Sequence, residues 1–477
     1  MDLDIQTISN MINIEHKRNA LTISYINKDS NIEFLEIPIP KDEMFEWAVC
    51  KENDKDRDYS YSYFLTGDPV KRKPAKRLNK YRTIEFLESL NEETKELIFH
   101  NHDPRVFYCD IENGKDPLTG EWSKPENPTG EINAISIVDS FTHKVYLLGL
   151  HKFKQSEVEQ MTHETNEHFS TLDGFKDKVE VQYFYFESET DLLYTFWTKF
   201  MRKIYFVTGW NFTGYDWPYL INRSKRLFLD PYELMGTREL WGGSPMHKVV
   251  VDYLDLYKKF DFKIVKENYT LDYTASQVLR GIKKISYSGT LDQLYNENKY
   301  KYFLYNAIDS YLVKLINDSL NLIGLYMSIG NSTKAEMNSL LKTITPVESI
   351  ITRYYYKEGL VIIPKRDFNE TDLAYEGGYV FEPVPGLYKW VMAMDFASLY
   401  PSVQQQFNIS PESFKGIDFE RELKDGEIRL TNGAIFDNSK DSVFRKYLRD
   451  FYNNRKKSKN MQLKVDSEIA KLEKLLN

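Results

Sequence analysis

The stretch RVFYCDIEN, residues 105–113, alternates like a β-strand and carries two carboxylates. Because successive side chains of a strand point to opposite faces, Asp110 and Glu112 leave one face together with Val106 and Tyr108. Two carboxylates at so short a distance repel each other. Burying both is costly in free energy unless a divalent cation lies between them. A solvated edge strand is the alternative interpretation, but the residues on both sides of the pair are too apolar for an open edge. The strand therefore predicts a metal site.

The segments that follow predict an α/β domain. GEINAISIVDS and HKVYLLGL read as two more strands, and the short turns between the strands suggest an antiparallel meander. Further along, DLLYTFWTKFMRK predicts a helix, KIYFVTGW a buried strand and WPYLINRSKRLF another helix. Strands first and then alternating helices and strands is an α/β order.

A second carboxylate lies in VTGWNFTGYDW, residues 207–217. The predicted strand ends at Gly209, and the loop from Asn211 to Tyr215 delivers Asp216 to the start of a helix. Loops at the carboxyl ends of strands in α/β sheets are where ligands bind. An aspartate at this position could equally be a simple helix cap, so both interpretations stay open.

A third carboxylate lies in YFLYNAIDSYLVKLI, residues 302–316, which predicts a helix. Tyr305 and Asp309 are four residues apart, on a face that adjoins the buried stripe. The stripe consists of Leu304, Ile308, Leu312 and Leu315. Because Ile308 and Tyr311 flank it, Asp309 is not expected to be a free surface residue.

A separate carboxylate stands in MAMDFASLYPSVQQQFN, residues 392–408. We expect Asp395 to end the strand WVMAM and Pro401 to be the first residue of a helix. A helix cap is the alternative role for Asp395. The chain closes with a long basic helix pattern, in which Arg455 and Lys459 are one turn apart.

Composition limits the class of protein. At 477 residues the chain predicts several domains, and its two cysteines, Cys50 and Cys109, rule out a disulfide framework. We find no signal peptide or membrane-length apolar run, so a soluble, cytoplasmic protein is expected. The net charge of −8 argues against nucleic-acid binding, but residues 440–477 carry a local charge of +6 and KRKPAKRLNKYR is a second basic run. A solvated face is the alternative explanation for each run.

The first three elements resemble, in order and spacing, the three exonuclease motifs of DnaQ-type proofreading domains. The resemblance implies a ribonuclease-H-like fold and two-metal hydrolysis of single-stranded DNA from its 3′ end. It implies that two Mg²⁺ ions, one activating water and the other steadying the leaving 3′-oxygen, are held by four carboxylates: Asp110, Glu112, Asp216 and Asp309. It also implies that Tyr305 orients the attacking water.

The sequence DFASLYPS resembles motif A of family B DNA polymerases. EGGYV, residues 376–380, and FYNNRKKSK, residues 451–459, resemble the linker before the palm and the start of the fingers. Other segments extend the resemblance over essentially the whole chain, within the T-even-type bacteriophage group. The resemblance implies a catalytic Asp395, a metal site at Asp395 and Phe396, and five residues that bind the incoming nucleotide: Ser398, Leu399, Tyr400, Arg455 and Lys459. The ring of Tyr400 would exclude a 2′-hydroxyl.

The predicted fold class is therefore a multidomain α/β chain. An N-terminal α+β domain is expected at residues 1–104, with a return segment at 325–370. The ribonuclease-H-like exonuclease domain is expected at 105–324. A partial palm at 371–440 and the first arm of the fingers at 441–477 complete the chain.

Nucleotidyl transfer needs two aspartates from different strands, and no second one follows Asp395 in a suitable context. The last predicted helix has an apolar seam formed by Val465, Ile469, Leu472 and Leu476. These features predict the N-terminal subunit of a split DNA-directed DNA polymerase, which binds primer-template, single-stranded DNA and dNTPs. A second polypeptide would supply the remaining fingers, the palm with motif C, the thumb and half of a polymerase site with two Mg²⁺. Alternatives are a stand-alone 3′–5′ exonuclease with a vestigial palm, a non-catalytic DNA-binding subunit, and an engineered truncation.

Overall fold

A computed structural model describes residues 104–362 and 379–476, except 173–174, 176–177, 240–242, 262–265 and 397. Before residue 104 it describes residues 11–16, 20–26, 32–38, 45–50, 62–63, 68–74, 88 and 91. The chain divides into two compact units: Met1–Pro38 with Leu90–Val347, and Ile39–Ser89 with Glu348–Asn477. Within the described residues, no helix combines the length and apolar character that crossing a bilayer requires.

The described residues before residue 104 form six short strands. They are β1 (Met11–His16), β2 (Ala20–Ile26), β3 (Ile32–Pro38), β4 (Phe45–Val49), β5 (Ser62–Tyr63) and β6 (Val70–Pro74). Strands β1, β2 and β3 form an antiparallel sheet in the first unit. In the second unit, β4 pairs with β6 in antiparallel fashion.

A six-stranded sheet in the order β10-β9-β8-β7-β11-β12 is the centre of the first unit. Its strands are β7 (Val106–Asn113), β8 (Ile132–Asp139), β9 (Lys144–Gly149), β10 (Glu180–Tyr185), β11 (Phe206–Gly209) and β12 (Val249–Asp252). The pairs β7–β8 and β8–β9 are antiparallel, so the predicted meander is confirmed. Strands β10, β11 and β12 join in parallel, which gives the predicted α/β sheet.

Strand β7 lies between β8 and β11, so it is not an edge strand. Its side chains alternate between two hydrophobic cores, as the pattern of residues 105–113 predicts. Val106 and Tyr108 belong to one core, whereas Phe107, Cys109 and Ile111 belong to the other. A strand that is covered on both faces holds its carboxylates away from bulk water.

The described part of the first unit contains nine α-helices. They are α1 (Gln155–Phe169), α2 (Glu189–Thr195), α3 (Asp216–Arg226), α4 (Pro231–Leu234), α5 (Tyr253–Phe260), α6 (Leu271–Val278), α7 (Leu291–Glu297), α8 (Lys299–Leu320) and α9 (Leu322–Thr333). A π-helical segment, Phe196–Met201, continues α2.

Helix α8 is the central helix of this unit. The side chain of Asn298 caps it by accepting the N–H of Lys301, and it ends at Asn321, whose φ of 51° is left-handed. Every residue from Tyr302 to Ile316 is buried, so the helix is covered all round rather than along one stripe. A polar residue between Tyr302 and Ile316 therefore lies in the protein interior.

The described part of the second unit contains shorter elements and one long helix. They are α10 (Ile344–Lys357), β13 (Leu360–Val361), α11 (Leu399–Gln406), β14 (Phe414–Ile417), β15 (Glu427–Arg429), β16 (Ala434–Asp437) and α12 (Val443–Leu476). Strand β13 pairs with β5, and β14, β16 and β15 form an antiparallel sheet. Helix α12 confirms the predicted long basic helix.

Two predictions for this unit are wrong. Residues 390–394 form no strand, because no described strand pairs with them, and large side chains such as Trp390 and Met394 are exposed. Helix α11 begins at Leu399 rather than at Pro401, with Ser398 in the left-handed conformation at its N-cap. The motif EGGYV begins with residues 376–378, which lie outside the described residues.

The close approach of β11 to β7 requires glycine at position 209. A Cβ atom there would lie 2.2 Å from the carbonyl oxygen of Cys109. We expect Gly209→Ala to separate the strands and lower the free energy of unfolding by about 1–3 kcal/mol. Thermal unfolding measures this loss. Gly114→Ala is the matched control, because its Cβ would meet its nearest neighbour at 3.5 Å, an ordinary contact. Equal melting temperatures for the two variants would contradict the packing argument.

Candidate active site

Three carboxylates from two elements meet beside the central strand. Asp110 and Glu112 come from β7, and Asp309 comes from α8. Each offers one oxygen, and these oxygens all lie within 4.8 Å of one another. Glu112 and Asp309 are buried and Asp110 is partly buried. The structure thus brings together residues that are about 200 positions apart in the sequence.

The fourth predicted carboxylate, Asp216, lies against the same strand. It is the first residue of α3, and Tyr215 rather than Asp216 occupies the N-cap position. Its Oδ1 accepts the backbone N–H of Ile111, the residue between the two carboxylates of β7, at 2.9 Å. The side chain is therefore directed at β7, and this favours a site residue over a helix cap.

The loop before Asp216 is held by one backbone conformation and two hydrogen bonds to strand ends. Asn211 adopts a left-handed conformation with a φ of 57°. The backbone N–H of Thr213 donates to the carboxylate of Asp252, at the end of β12, at 3.0 Å. The hydroxyl of Tyr215 donates to Asn113 at the end of β7, at 3.0 Å. Neighbouring strand ends thus fix the path that the predicted motif residues follow.

Burial and mutual repulsion keep these carboxylates from ionising easily. Burial, together with the charge of Asp309, raises the pKa of Asp110 to about 7. Burial raises the pKa of Asp309 to about 6, although Lys284 acts in the opposite direction. The pKa values of Glu112 and Asp216 are raised well above their ordinary range by burial and then by the charge of Asp110. The cluster is costly in the absence of a cation.

Two side chains that the sequence analysis did not identify contact the cluster. The ammonium group of Lys284 forms an ion pair with Oδ2 of Asp309, and Nδ2 of Asn306 donates to Oδ2 of Asp110 at 2.7 Å. Burial alone would lower the pKa of Lys284, but the carboxylate of Asp309 raises it. Asn306 follows Tyr305 on α8 and could have been noticed there. Lys284 lies in an irregular segment, where no periodicity marks it.

Tyr305 lies next to these groups. Its ring is 4.5 Å from the ammonium group of Lys284 and makes an edge contact with Tyr287, with ring centroids 5.3 Å apart. Burial, and then the charge of Asp309, raises the pKa of the Tyr305 hydroxyl above its ordinary value. The group therefore stays protonated and able to donate a hydrogen bond.

The residues fit a divalent cation. Oδ1 of Asp309 is buried and has no hydrogen-bond partner within the described part of the chain. A buried anionic oxygen without a donor is costly, and carboxylate oxygens are the ligands that Mg²⁺ prefers. Together with Asp110 and Glu112 it forms an oxygen-rich site with excess negative charge.

The residues assigned to nucleotide transfer lie in the second unit and form no comparable cluster. Asp395, Phe396 and Tyr400 are exposed, and Leu399 begins α11 after Ser398. Arg455 and Lys459 are exposed on α12, one turn apart as predicted. Among the described residues, no group of carboxylates forms around Asp395.

Comparison with known proteins places the chain in a family. Residues 71–273 match the exonuclease domain of DNA polymerase family B, and residues 340–476 match DNA polymerase family B. Tyr305 and Asp309 lie between the two matched ranges, so their place in the site rests on the geometry.

Two phage proteins and one solved structure are among those similar to this chain. The DNA-directed DNA polymerase of Escherichia phage RB69 is 30% identical over 77% of this chain and 43% of its own length. That of Enterobacteria phage T4 is 28% identical over 67% of this chain and 37% of its own length. The family B DNA polymerase of Pyrobaculum calidifontis, 14% identical, shares the fold with a TM-score of 0.61, over 95% of this chain and 64% of that one.

The chain thus spans less than half the length of its phage relatives. The two matched ranges nevertheless cover most of its residues, from the second basic run to the last helix. The phage relatives, the predicted motifs and the mixed α/β fold agree with both matches. The chain therefore belongs to DNA polymerase family B.

Proposed function

We propose that this chain is a 3′–5′ exodeoxyribonuclease. The observation that carries the proposal is the convergence of Asp110, Glu112 and Asp309, whose carboxylate oxygens lie within 4.8 Å of one another. Within the described part of the chain, Oδ1 of Asp309 also has no hydrogen-bond partner. With Asp216 beside them, these carboxylates would hold two Mg²⁺ ions. When bound, the metals would supply an activated water and stabilise the leaving 3′-oxygen.

The protein's own residues would position the reacting groups. The protonated hydroxyl of Tyr305 would donate to the attacking water and so orient it. Lys284 would offset part of the negative charge by pairing with Asp309, and Asn306 would fix the rotation of the Asp110 carboxylate. Lys284 and Asn306 are positioning residues in this proposal.

We also propose that the chain acts in DNA synthesis together with a second polypeptide, as the N-terminal subunit of a split DNA polymerase. Among the described residues, Asp395 belongs to no group of three or more candidate metal ligands, and two-metal transfer needs at least one more carboxylate beside it. Helix α12 presents the side chains of Val465, Ile469 and Leu472 to solvent, and a returning finger helix would cover them. The side chain of Leu476 lies outside the described residues.

The two alternatives make different demands on the chain. A stand-alone exonuclease with a vestigial palm needs the acidic cluster but neither Tyr400 nor Arg455. A non-catalytic DNA-binding subunit would have no use for buried, mutually repelling carboxylates, so the cluster counts against it. The domain boundaries given above and the cytoplasmic location stay predictions.

The first test removes two of the carboxylates. We expect Asp110→Ala with Glu112→Ala to reduce Mg²⁺-dependent degradation of a 3′-labelled single strand to background, because both are proposed metal ligands. The melting temperature in EDTA should stay the same or rise, since repulsion is relieved. Glu159→Ala with Glu167→Ala removes the same charge from the exposed face of α1 and should leave degradation unchanged. Wild-type rates in the first variant would refute the site assignment.

The second test is the pH dependence of stability without metal. Folding raises the pKa of Asp110 to about 7 and that of Asp309 to about 6, from an unfolded value near ~4. The folded chain therefore keeps protons that the unfolded chain releases, and stability should fall as the pH rises from about 4 to about 7. Thermal unfolding in EDTA measures this fall.

Added Mg²⁺ should restore stability at the upper end of that range, because a cation favours the ionised carboxylates. The variant Asp110→Ala with Glu112→Ala should show a smaller fall than the wild type. A wild type and a variant with the same slope in EDTA would show that the cluster does not govern the pH dependence.

The third test concerns assembly. We expect the chain alone to incorporate no nucleotide, and primer extension to begin when a polypeptide with the remaining fingers, motif C and the thumb is added. Leu472→Asp should weaken assembly about tenfold or more, because burial of one leucine contributes roughly 1.5–3 kcal/mol. Ser467→Asp, which places the same charge on the opposite side of α12, is the control. Extension by the chain alone would overturn the split arrangement.

A further inference from the structure

A cavity with basic walls lies next to the acidic site and shares one residue with it, Lys284. Its volume is about 460 Å³, within the range of roughly 300–1,000 Å³ that small-molecule sites occupy. It lies between the end of α1 and the segment that follows α6. Its lining includes three apolar and three basic side chains: Leu172, Leu279, Ile282, Arg280, Lys283 and Lys284.

Hydrogen bonds hold the basic segment in place at two successive residues. Nε2 of His168, in the last turn of α1, donates to the carbonyl oxygen of Lys283 at 2.8 Å. The backbone N–H of Lys284 donates to Oδ1 of Asp272 at 2.9 Å. The side chain of Lys284 reaches Asp309 from this anchored position, so the cavity and the acidic site share one ammonium group.

The lining suits a ligand that is anionic at one end and apolar at the other. Guanidinium and ammonium groups bind phosphate through charge-assisted hydrogen bonds, and Arg280 and Lys283 are both exposed at the cavity. Leucine and isoleucine side chains offer an apolar surface against which a flat ring can lie. A nucleotide has both parts.

We propose that this cavity binds a nucleotide, with its phosphate at Arg280 and Lys283 and its base against Leu172, Leu279 and Ile282. The nucleotide would be either the 5′-mononucleotide that a 3′–5′ nuclease releases or one unit of the strand itself. This choice of ligand rests on the proposed nuclease function. The cavity itself rests on the lining residues and the anchored segment.

An alternative role for Arg280 and Lys283 is to stabilise the ends of helices, and this role leads to a different prediction. Helices α1 and α6 both end beside the cavity, and cations stabilise the negative carboxyl ends of helices. If that were their purpose, loss of Arg280 and Lys283 would lower the melting temperature, and no nucleotide would bind.

Calorimetric titration of the full chain with dTMP in EDTA tests the proposal. We expect binding by the wild type, and binding at least about tenfold weaker by Arg280→Gln with Lys283→Gln, because bonds to charged groups are lost. Lys199→Gln with Lys203→Gln removes two exposed charges elsewhere in the same unit and should bind like the wild type. EDTA removes metal ions, so no nucleotide binds through a metal at the acidic site. The variant Asp110→Ala with Glu112→Ala should therefore also bind dTMP like the wild type.

Each outcome decides the proposal. An oligothymidylate that binds more tightly than dTMP identifies the strand as the ligand, and the reverse order identifies the released product. Absence of dTMP binding, or equal binding by all variants, would overturn the proposal. Inorganic phosphate that binds as tightly as dTMP would overturn it too, because the base would then contribute nothing. Failure of the nuclease assay with intact dTMP binding would refute the proposed reaction alone.

Discussion

The structure of the first unit depends on how it accommodates carboxylates that repel each other in its interior. Asp110 and Glu112 lie on one face of a strand that is covered on both sides, and Asp309 approaches from a helix buried all round. Their pKa values are raised because the folded chain withdraws them from water. Nearby groups lower this cost only in part: Asn306 donates to Asp110, and Lys284 pairs with Asp309. This cost of burial lowers the stability of the fold and leaves a cluster whose residues fit a divalent cation.

The sheet topology explains why these groups can meet. Strand β7 lies between an antiparallel and a parallel neighbour, so the loop after β11 returns past its carboxyl end. Gly209 permits the close approach of β11, and Asp216 then accepts the N–H of Ile111. The position of Asp216 is thus tied to the backbone of β7 through this hydrogen bond.

Periodicity made much of this site predictable from the sequence. The two-residue period of β7 identified Asp110 and Glu112 as a pair. The spacing on α8 placed Tyr305 and Asp309 on one face, and the resemblance to exonuclease motifs assigned them to the site. Lys284 could not be found in this way, because the irregular segment that holds it places its side chain through tertiary hydrogen bonds. The prediction of a strand at residues 390–394 was wrong because it, too, depended on tertiary contacts that the sequence pattern does not show. A strand needs a partner, and an apolar run alone does not show whether one is present.

Charge balance indicates what the ionised site could hold. With Lys284 counted against the four carboxylates Asp110, Glu112, Asp216 and Asp309, three negative charges remain uncompensated. One divalent cation would leave one negative charge uncompensated, and an unpaired charge in the interior is costly. Two would leave a single positive charge, which one phosphodiester group would neutralise. One ammonium group cannot balance a cluster of this charge, and Oδ1 of Asp309 has no hydrogen-bond partner within the described part of the chain.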